Sequence, residues 1–590
     1  MSDKAAEKEQ TFTGIGVSNG TAYGKIFMVA RSAAQVQQYS ISESQIDGEI
    51  KRFEQALMKT RADICSLKDE ISQKVGEEES SIFDAHLLVL EDAAIINEVY
   101  ANLNETKRNI ESCYSEVVNR FLQAFEEIDD PFMRERIADI RDVSRRVINN
   151  LMGHEEKSSL NLGEPVILAS KDFTPSDFAF VDKTKVLGII TEKGSHTSHT
   201  AILARSLRVP CIVGIDIENI GIKTGDNILV DGYKGNIFLR PSSETLKKYT
   251  EIANIHREIE RIFDSSLPYP SETTDAHRVS LEFNIGSASD IREGSMKFSD
   301  GIGLFRTEAL FIDKGNFMDE ESQFEAYKAA VIKAEGKPVT IRTIDLGGDK
   351  TLAFINEFSH EENPFMGYRA IRFCLDRVDI FTAQLKAILR ASAFGKVRIL
   401  YPMISGINEL VRANSVLEQA KLALQNEGKP YSDDVKIGTM VEVPSAAMII
   451  DLLAKQCDFI SIGTNDLIQY LLAVDRVNDH VAHLYNPASP AVIRMLDKIV
   501  SDGKKSGLKV SVCGEIAADP IFAMLLIGMG VDGLSMVSGA LSEIKFMLRK
   551  VSFAELRDLR AQALAQNCSR DILTVLRRFR NAKMKEYIQI

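Results

Sequence analysis

Two histidines three positions apart could carry chemistry in this sequence. His196 and His199 lie in the polar run KGSHTSH, and the apolar stretch TAILARSLRVP follows at once. Imidazoles in this arrangement can bind a metal, act as a general base or accept a group as nucleophiles. A zinc site is disfavoured, because no third or fourth ligand lies near the pair. One capping and one exposed histidine without any chemistry is the alternative.

The position of His199 favours the binding of an anion. Ser198 is a suitable N-cap and Ala201 to Leu207 read as a helix, so His199 falls in the first helical turn. Free N–H groups and the positive end of the helix dipole meet there, which favours a neutral imidazole and a bound phosphoryl group.

The C-terminal part of the sequence has the most regular pattern. Helical segments separate most of its eight strand-like runs, which are VSLEFNIG, GIGLFRTE, VTIRTIDLGGD, VRILYPMI, KIGTMVEVP, FISIGTNDL, KVSVCGE and VDGLSMV. Eight β/α units over about 300 residues predict a TIM (β/α)8 barrel, whose active site lies where the strands end.

Polar residues follow several of these strands and form the candidate site. They are Arg306, Arg342, Glu442, Asn465, Asp466 and Cys513, with Arg476 in the loop after the sixth strand. Arginines suit a phosphate or carboxylate, and two carboxylates with open positions suit Mg²⁺. A thiol could donate a proton or act as a nucleophile. Each group also has an alternative without chemistry. The arginines could form surface salt bridges, the carboxylates could serve as a helix cap or a buried ion pair, and the cysteine could be an inert core residue.

The chain before the barrel must position His199. Residues 1–35 and 150–241 carry strands and predict one α/β domain, and residues 36–149 predict a helical domain inserted between them. Residues 242–270 read as a linker helix, and residues 271–590 as the barrel. The fold class predicted is therefore a multidomain α/β protein with an inserted helical bundle and a TIM barrel.

Composition excludes several classes of function. A formal charge of -13 argues against a general nucleic-acid binder. Seven widely spaced cysteines without a CxxC motif predict reduced thiols in a cytoplasmic protein. The N-terminus lacks an apolar signal core and no apolar run reaches 18 residues, so neither secretion nor membrane insertion is expected.

These motifs together resemble one known family. TSHTAILARSLRVPCIVG resembles the phosphohistidine signature of the enzyme I family of the sugar phosphotransferase system. The resemblance covers essentially the whole chain, and its other matching phrases are GIGVSNGTAYGKI, IFDAHLLVLED, GIGLFRTE, IRTIDLGGDK, ENPFMGYRAIR, MVEVPSAA, FISIGTNDLIQYLLAVDR and CGEIA.

The resemblance implies a complete reaction. Phosphoenolpyruvate and Mg²⁺ bind at the barrel mouth, and the phosphoryl group passes to His199 on a swivelling α/β domain. His199 then phosphorylates a histidine of the carrier HPr, docked on the helical domain, as the first step of sugar uptake. Pyruvate is released, and a homodimer through the barrel is expected.

The resemblance also assigns roles to residues. It implies that Glu442 and Asp466 bind Mg²⁺ and that Cys513 protonates the enolate, while the substrate ligands are Arg306, Arg342, Asn465 and Arg476. The expected HPr-docking helices carry Glu77, Glu78, His86, Leu90 and Asp92. A solvated acidic face is the alternative for this last group.

The sequence departs from the family at one position. Family members commonly read Gly-Gly-Arg before Thr-Ser-His, and here Gly194, Ser195 and His196 stand there. A permanent cation is replaced by a group that titrates near neutral pH, so transfer should depend more strongly on pH. His196 is also the second candidate for the phosphoryl acceptor.

Two other functions are compatible with parts of the pattern. Phosphoenolpyruvate synthases and pyruvate phosphate dikinases share the phosphohistidine and barrel domains, but they carry a large ATP-binding domain for which the helical insertion is too short. A scaffold or regulator without turnover is the second alternative, although every barrel residue needed for chemistry is present.

Overall fold

The chain divides into two units, Met1–Ile255 and His256–Ile590, in the computed structural model. The boundary falls within the helix Ser243–Asp264, where the sequence predicts a linker helix. The finer division into four domains stays a prediction. The structure describes residues 9–29, 36–74, 82–126, 131–153, 162–171, 173, 183–194, 199–207, 209–312, 317–347, 363–476, 478, 480–585 and 587.

An eight-stranded sheet organises the first unit. Its strands β1 to β8 are Gln10–Thr13, Ile15–Ser18, Thr21–Met28, Val166–Ser170, Val186–Thr191, Cys211–Val213, Asn227–Asp231 and Asn236–Leu239. The order is β1-β8-β7-β3-β4-β5-β6-β2, and β3 to β6 are parallel. The apolar strands β4 and β6 are fully buried, as parallel strands usually are. The three N-terminal strands share this sheet with strands after the helical insertion, and β7 and β8 form an antiparallel hairpin.

Helices fill the rest of the first unit. Within the described residues, the long interruption between β3 and β4 contains five of them, and their shared core includes Phe53, Val99, Val117 and Val143, each with no exposed surface. The described helices of the unit are Ile46–Lys74, Ile82–Leu90, Ala93–Thr106, Ile110–Glu126, Pro131–Leu151, His199–Leu207, Ile217–Ile220 and Ser243–Asp264.

The second unit is a closed parallel barrel. All eight predicted strands form, and each neighbouring pair is parallel, with β16 pairing β9 to close the ring. The strands β9 to β16 are Ser280–Ile285, Gly301–Phe305, Val339–Arg342, Val397–Tyr401, Lys436–Val441, Phe459–Ile462, Lys509–Val512 and Gly533–Met536. The TIM-barrel prediction is confirmed.

Helices surround the barrel strands. Their amphipathic sequences bury one face each, for example Phe381, Leu385 and Ile388 of the helix Val378–Ala391. The described helices are Glu308–Ile312, Glu320–Lys333, Ile371–Asp376, Val378–Ala391, Ile407–Glu427, Pro444–Met448, Ile450–Leu453, Thr464–Leu472, Pro490–Lys505, Pro520–Met529, Leu541–Leu548, Phe553–Leu564 and Ser569–Met584. Over the described residues, none of the helices combines the length and apolarity needed to cross a bilayer.

Candidate active site

Polar side chains gather where the barrel strands end. Arg342 is the last residue of β11, while Arg306, Glu442 and Cys513 directly follow β10, β13 and β15. Asp466 lies in the first turn of the helix that begins after β14. Because all strands are parallel, these ends meet at one mouth of the barrel.

Arg342 lies in a buried ion-pair cluster. Its Nη2 is 2.9 Å from Glu308 Oε1, and its Nη1 is 3.0 Å from Asp345 Oδ2. Burial by itself would lower the pKa of Arg342, but the charges of Glu308 and Asp345 outweigh that cost and raise it. The guanidinium is therefore a permanent cation held in one orientation.

Arg369 is a further cation of this cluster, and the sequence analysis assigned it no role. Its Nη2 contacts Asp345 Oδ1 at 2.8 Å and Asp466 Oδ2 at 3.2 Å, and its Nη1 donates to the Tyr470 hydroxyl at 3.2 Å. Arg369 does not end a strand, so the strand-end rule could not select it. The signal was nevertheless present, because Arg369 belongs to the quoted phrase ENPFMGYRAIR.

Glu442 and Asp466 provide two buried carboxylates. Burial and the neighbouring charges of Asp466 and Asp345 raise the pKa of Glu442 to about 8. One Glu442 oxygen accepts the Met403 N–H at 2.6 Å. Gly463 is required here, because a Cβ at that position would lie 2.5 Å from Glu442 Oε2. The backbone therefore leaves room for the carboxylate and for little else.

These carboxylates fit a hard cation. Asp466 Oδ1 is buried and accepts no hydrogen bond from the described residues, although the Arg476 Nη2 lies 3.8 Å from it. A carboxylate with a raised pKa beside an unsatisfied one is an arrangement that a divalent cation would neutralise. The described residues contain no set of three or more His, Cys, Asp or Glu side chains placed to ligate a metal. Mg²⁺ commonly binds through one or two carboxylates and takes its other ligands from substrate and water.

Cys513 is a protonated thiol at the same mouth. It is buried, and burial raises its pKa, although the nearby Ser461 hydroxyl and the Arg342 charge oppose that rise. Its Sγ lies 3.6 Å from the Ile462 carbonyl oxygen. A neutral thiol can donate a proton to a carbanion, whereas a nucleophilic role would require a lowered pKa. The raised pKa is compatible with the proton-donor role, which stays a prediction.

The remaining predicted substrate ligands are more exposed. Asn465 exchanges two hydrogen bonds with Glu515, at 2.9 and 3.1 Å. The Arg306 side chain is half-buried and forms no ion pair with any residue that the structure describes, so its charge is available to an anion. The positions at or just after the strand ends place Arg306, Arg342, Glu442, Asn465, Asp466 and Cys513 at one mouth, and Arg476 lies beside Asp466, while the roles assigned to these residues stay predictions.

His199 begins the helix His199–Leu207, in the first-turn position that the sequence predicts. The next residue, Thr200, is buried and its hydroxyl lies 3.5 Å from the Phe173 carbonyl oxygen. The side chain of His199, and the residues Ser198 and His196, lie outside what the structure describes. The assignment of the acceptor therefore stays a prediction.

The structure corrects one predicted docking residue. His86 is fully buried, with its Nε2 3.1 Å from Asp139 Oδ1, and it packs edge-on against Phe83. Leu90 is buried as well. The signal was in the sequence, because Phe83, His86 and Leu90 recur at helical spacing on one face. A side chain without exposed surface does not contact a partner, so His86 is a core residue.

The other docking candidates divide into two cases. Asp92 is exposed and caps the helix Ala93–Thr106, accepting the Ala94 N–H at 2.8 Å. Glu77 and Glu78 lie outside the described residues. Asp92 therefore has a local structural role, which leaves its docking role a prediction.

Comparison with known proteins supports one family across the chain. Residues 13–136, 162–235 and 264–553 match the N-terminal, mobile and PEP-binding domains of PEP-utilising enzymes, respectively. Phosphoenolpyruvate-protein phosphotransferase of Bacillus subtilis (strain 168) is 37% identical over 568 residues, which cover 96% of this chain and 99% of that protein. The protein of the same name from Priestia megaterium is 38% identical and covers 95% of this chain and 97% of its own length.

A solved structure also matches part of the chain. It is an NMR structure titled Enzyme I (nEIt), with 33% identity, a TM-score of 0.36, and coverage of 42% of this chain and 99% of that one. Near-complete coverage at 37% identity, together with the three matched domains, decides the family. The chain belongs to the PEP-utilising enzymes and, among them, to the phosphoenolpyruvate-protein phosphotransferases.

Proposed function

We propose that this enzyme takes the phosphoryl group of phosphoenolpyruvate onto His199 and passes it to a histidine of the carrier HPr. Membership of the family supports the general reaction, which is transfer of a phosphoryl group from phosphoenolpyruvate to a protein. The observation that carries the residue assignments is the mouth cluster, defined as Glu308, Arg342, Asp345, Arg369, Glu442 and Asp466. It combines fixed cations with more carboxylates than cations, one of which, Asp466, has an unsatisfied oxygen, and it lies beside a protonated thiol.

Arginines receive the anionic substrate. Arg306 and Arg342 supply guanidinium groups for the phosphate and carboxylate oxygens, and Arg476 and Asn465 complete the set of ligands. Arg342 is already oriented by Glu308, so little conformational freedom is lost when the substrate binds. Phosphoryl transfer depends mainly on such positioning and charge neutralisation.

Glu442 and Asp466 would hold Mg²⁺. When bound, the ion supplies neutralisation of the charge that develops on the substrate oxygens. The unsatisfied Asp466 Oδ1 and the raised pKa of Glu442 support this assignment.

The step balances with the residues of this chain. A neutral imidazole nitrogen of His199 attacks phosphorus, the bond from phosphorus to the enol oxygen breaks, and an N–P bond forms. The enolate takes the Cys513 proton on its methylene carbon and leaves as pyruvate. The Cys513 thiolate then regains a proton from solvent, which its raised pKa favours.

The alternatives from the sequence analysis are less well supported. The curated relatives that cover 95% or more of this chain carry the name phosphoenolpyruvate-protein phosphotransferase, which favours this reaction over that of a synthase or dikinase. A regulator without turnover would not need a protonated thiol beside paired carboxylates. HPr as the partner, a homodimer through the barrel and a cytoplasmic location are part of the proposal.

A labelling experiment tests the acceptor. The protein is incubated with Mg²⁺ and phosphoenolpyruvate, and any acid-labile, base-stable phosphoryl group is located by peptide mass mapping. His199→Ala and His196→Ala are matched controls, because each removes one imidazole from the same short segment. Label on His199 that transfers to added HPr is expected.

Other outcomes would change the proposal in defined ways. Label on His196 would move the acceptor by about one helical turn. Label on His199 that does not pass to HPr would remove the proposed partner but keep the first transfer. Absence of label and of pyruvate, with metal binding intact, would favour the regulator.

A further inference from the structure

A chain of buried polar side chains runs from the outer helices of the barrel to the loops that carry the substrate arginines. Thr307, Gln323, Tyr327 and Gln384 each have no exposed surface. Polar side chains are seldom buried so completely unless their hydrogen bonds are made. Here all four are linked in one series, so the series is a built feature of the fold.

Gln384 is the branch point of the series. Its Oε1 accepts the Ile344 N–H at 3.0 Å, and its Nε2 donates to Thr307 Oγ1 at 3.3 Å. The same Nε2 donates to the Tyr327 hydroxyl at 3.1 Å. Gln384 lies on the helix Val378–Ala391, outside the barrel strands, yet both loops that it contacts lie at the mouth.

The two loops contain the arginines of the site. Thr307 directly follows Arg306, and its hydroxyl donates to the Arg342 carbonyl oxygen at 3.0 Å. Ile344 lies between Arg342 and Asp345, whose side chains pair at 3.0 Å. Gln384 therefore fixes the backbone directly after Arg342, through the Ile344 N–H and, by way of Thr307, at the Arg342 carbonyl, and it ties this backbone to the residue after Arg306.

The far end of the series is anchored in a second helix. The Tyr327 hydroxyl donates to Gln323 Oε1 at 3.1 Å, and Gln323 Nε2 donates to the Met318 carbonyl oxygen at 2.9 Å. Tyr327 also packs edge-on against Phe305, the last residue of β10. The anchor restricts the rotamer of Gln384, because its amide group is held from both sides.

We propose that Gln384 is a positioning residue for phosphoenolpyruvate, which it serves by setting the spacing of Arg306 and Arg342. The inference rests on the proposed function, in which these arginines bind the substrate. A small misplacement of groups that must converge on one anion is costly, and a displacement near 1 Å can reduce a rate about 100-fold. Gln384 does not itself touch the substrate.

The experiment compares Gln384→Met, Thr307→Val and the double variant. Methionine keeps the unbranched length of glutamine without its hydrogen bonds, and valine keeps the shape of threonine. The dissociation constant of phosphoenolpyruvate is measured by calorimetry in the His199→Ala background, which prevents turnover. The rate of pyruvate formation in a single turnover is measured with His199 intact, and thermal unfolding is recorded for each variant.

Gln384→Met is expected to raise the dissociation constant by about tenfold and to slow pyruvate formation by roughly 10- to 100-fold. The double variant should lose less than the sum of the two single losses, because both changes break the same Gln384–Thr307 hydrogen bond. Ile388→Ala is the control, since Ile388 is fully buried on the same helix and makes none of these hydrogen bonds. It should lower the unfolding temperature and leave the dissociation constant within about twofold.

The outcomes separate this proposal from the function on which it depends. Unchanged substrate binding in folded Gln384→Met, or independent losses in the double variant, would overturn the positioning role. If Gln384→Met does not fold, Thr307→Val alone decides, because it breaks the link to the Arg342 carbonyl. Absence of binding and of pyruvate formation in the parent protein would instead overturn the proposed function.

Discussion

Two charged clusters of the barrel differ in how their charges are balanced. The outer network links three surrounding helices and consists of Glu320, Lys386, Arg390, Glu427 and Lys429. Its Glu320 carboxylate lies 2.6 to 2.9 Å from all three cations, and Glu427 pairs with both lysines. Burial would raise the pKa of Glu320, but hydrogen bonds from Lys386, Lys429 and Arg390 lower it to about 2.

The mouth cluster has the opposite balance. It holds four carboxylates against two arginines, Glu442 has a raised pKa of about 8, and Asp466 Oδ1 is unsatisfied. A network that only stabilises the fold pairs its charges, while a site that must receive a cation and an anionic substrate keeps charges available. The carboxyl pKa shifts in opposite directions in the two clusters, upward at Glu442 and downward at Glu320. The direction of the shift thus distinguishes a site that receives ligands from a network that stabilises the fold.

The largest expected effect comes from Glu442→Gln. The amide keeps the Met403 N–H hydrogen bond but removes a charge needed for Mg²⁺, so pyruvate formation should fall roughly 10³-fold. The unfolding temperature without metal should stay unchanged or rise, because a buried carboxyl beside Asp466 is replaced by a neutral group. Calorimetric titration with Mg²⁺ and thermal unfolding check both statements. A destabilised variant with normal Mg²⁺ binding would contradict them.

Cys513→Ser should have the next largest effect. The hydroxyl is a weaker acid than the thiol, so protonation of the enolate should slow by about 100-fold. Deuterium incorporation into the pyruvate methyl group measures that step directly. Cys457→Ser is the matched control, because Cys457 precedes β14 and its Sγ bonds only the Leu453 carbonyl oxygen at 3.3 Å. Equal rates for the two variants would exclude the proton-donor role.

Glu320→Gln should affect stability and leave the chemistry unchanged. The lowered pKa of Glu320 corresponds to a contribution to folding stability of about 3 kcal/mol before solvent screening and of about 1 to 2 kcal/mol after it. A depressed carboxyl pKa stabilises the fold above the unfolded value near 4.5, and this contribution disappears as pH falls through about 2. Denaturant unfolding from pH 7 to pH 2 should therefore show the variant and the parent converging in acid.

The control for this prediction is Glu325→Gln on the same helix. Glu325 pairs with Lys328 at 3.1 Å, but its side chain is 57% exposed, so its loss should cost less than about 0.5 kcal/mol. A similar cost for Glu320 and Glu325 would show that the outer network has no cooperative contribution. Loss of pyruvate formation in Glu320→Gln would contradict the assignment of stability to the outer network and of chemistry to the mouth cluster.

The smallest effect is expected at Ala370, which follows Arg369. Its φ of 52° and ψ of -126° lie where an alanine is strained and a glycine is not. Ala370→Gly should raise the free energy of unfolding by less than about 1 kcal/mol, because relief of backbone strain exceeds the added entropy of the unfolded chain. Ala387→Gly, in the interior of the helix Val378–Ala391, should destabilise by about 1 kcal/mol. If Ala370→Gly lowered the free energy of unfolding as much as Ala387→Gly does, the backbone strain at Ala370 would be absent.

Strand-end residues were predictable from the sequence to a useful degree. Arg342, Glu442 and Cys513 were found because parallel strands place their C-terminal ends at one mouth. Asp345 and Arg369 were missed because neither ends a strand. They nevertheless pair with each other, and Asp345 also contacts Arg342 while Arg369 contacts Asp466. Their selection depends on contacts such as the Arg369–Asp345 pair, which joins residues far apart in the chain and which no local period records.

The error at His86 has a related cause. An acidic segment suggested a partner surface, but helical periodicity places His86 with Phe83 and Leu90 on the buried face. Charge content describes a segment as a whole, whereas burial is decided one helix face at a time. A helical projection of Ile82–Leu90 would have placed His86 on the buried face, whereas Asp92 lies beyond the end of this helix.

The sequence by itself determined the periodic elements, their order, and the types of group that end the barrel strands. It also placed His199 at the start of a helix, because capping and apolar spacing are local properties. Only the tertiary structure decided which charges compensate each other, that Asp466 keeps an unsatisfied oxygen, and that Gln384 reaches two distant loops. Burial and electrostatic coupling depend on neighbours far apart in the chain, so they are settled only when the barrel closes.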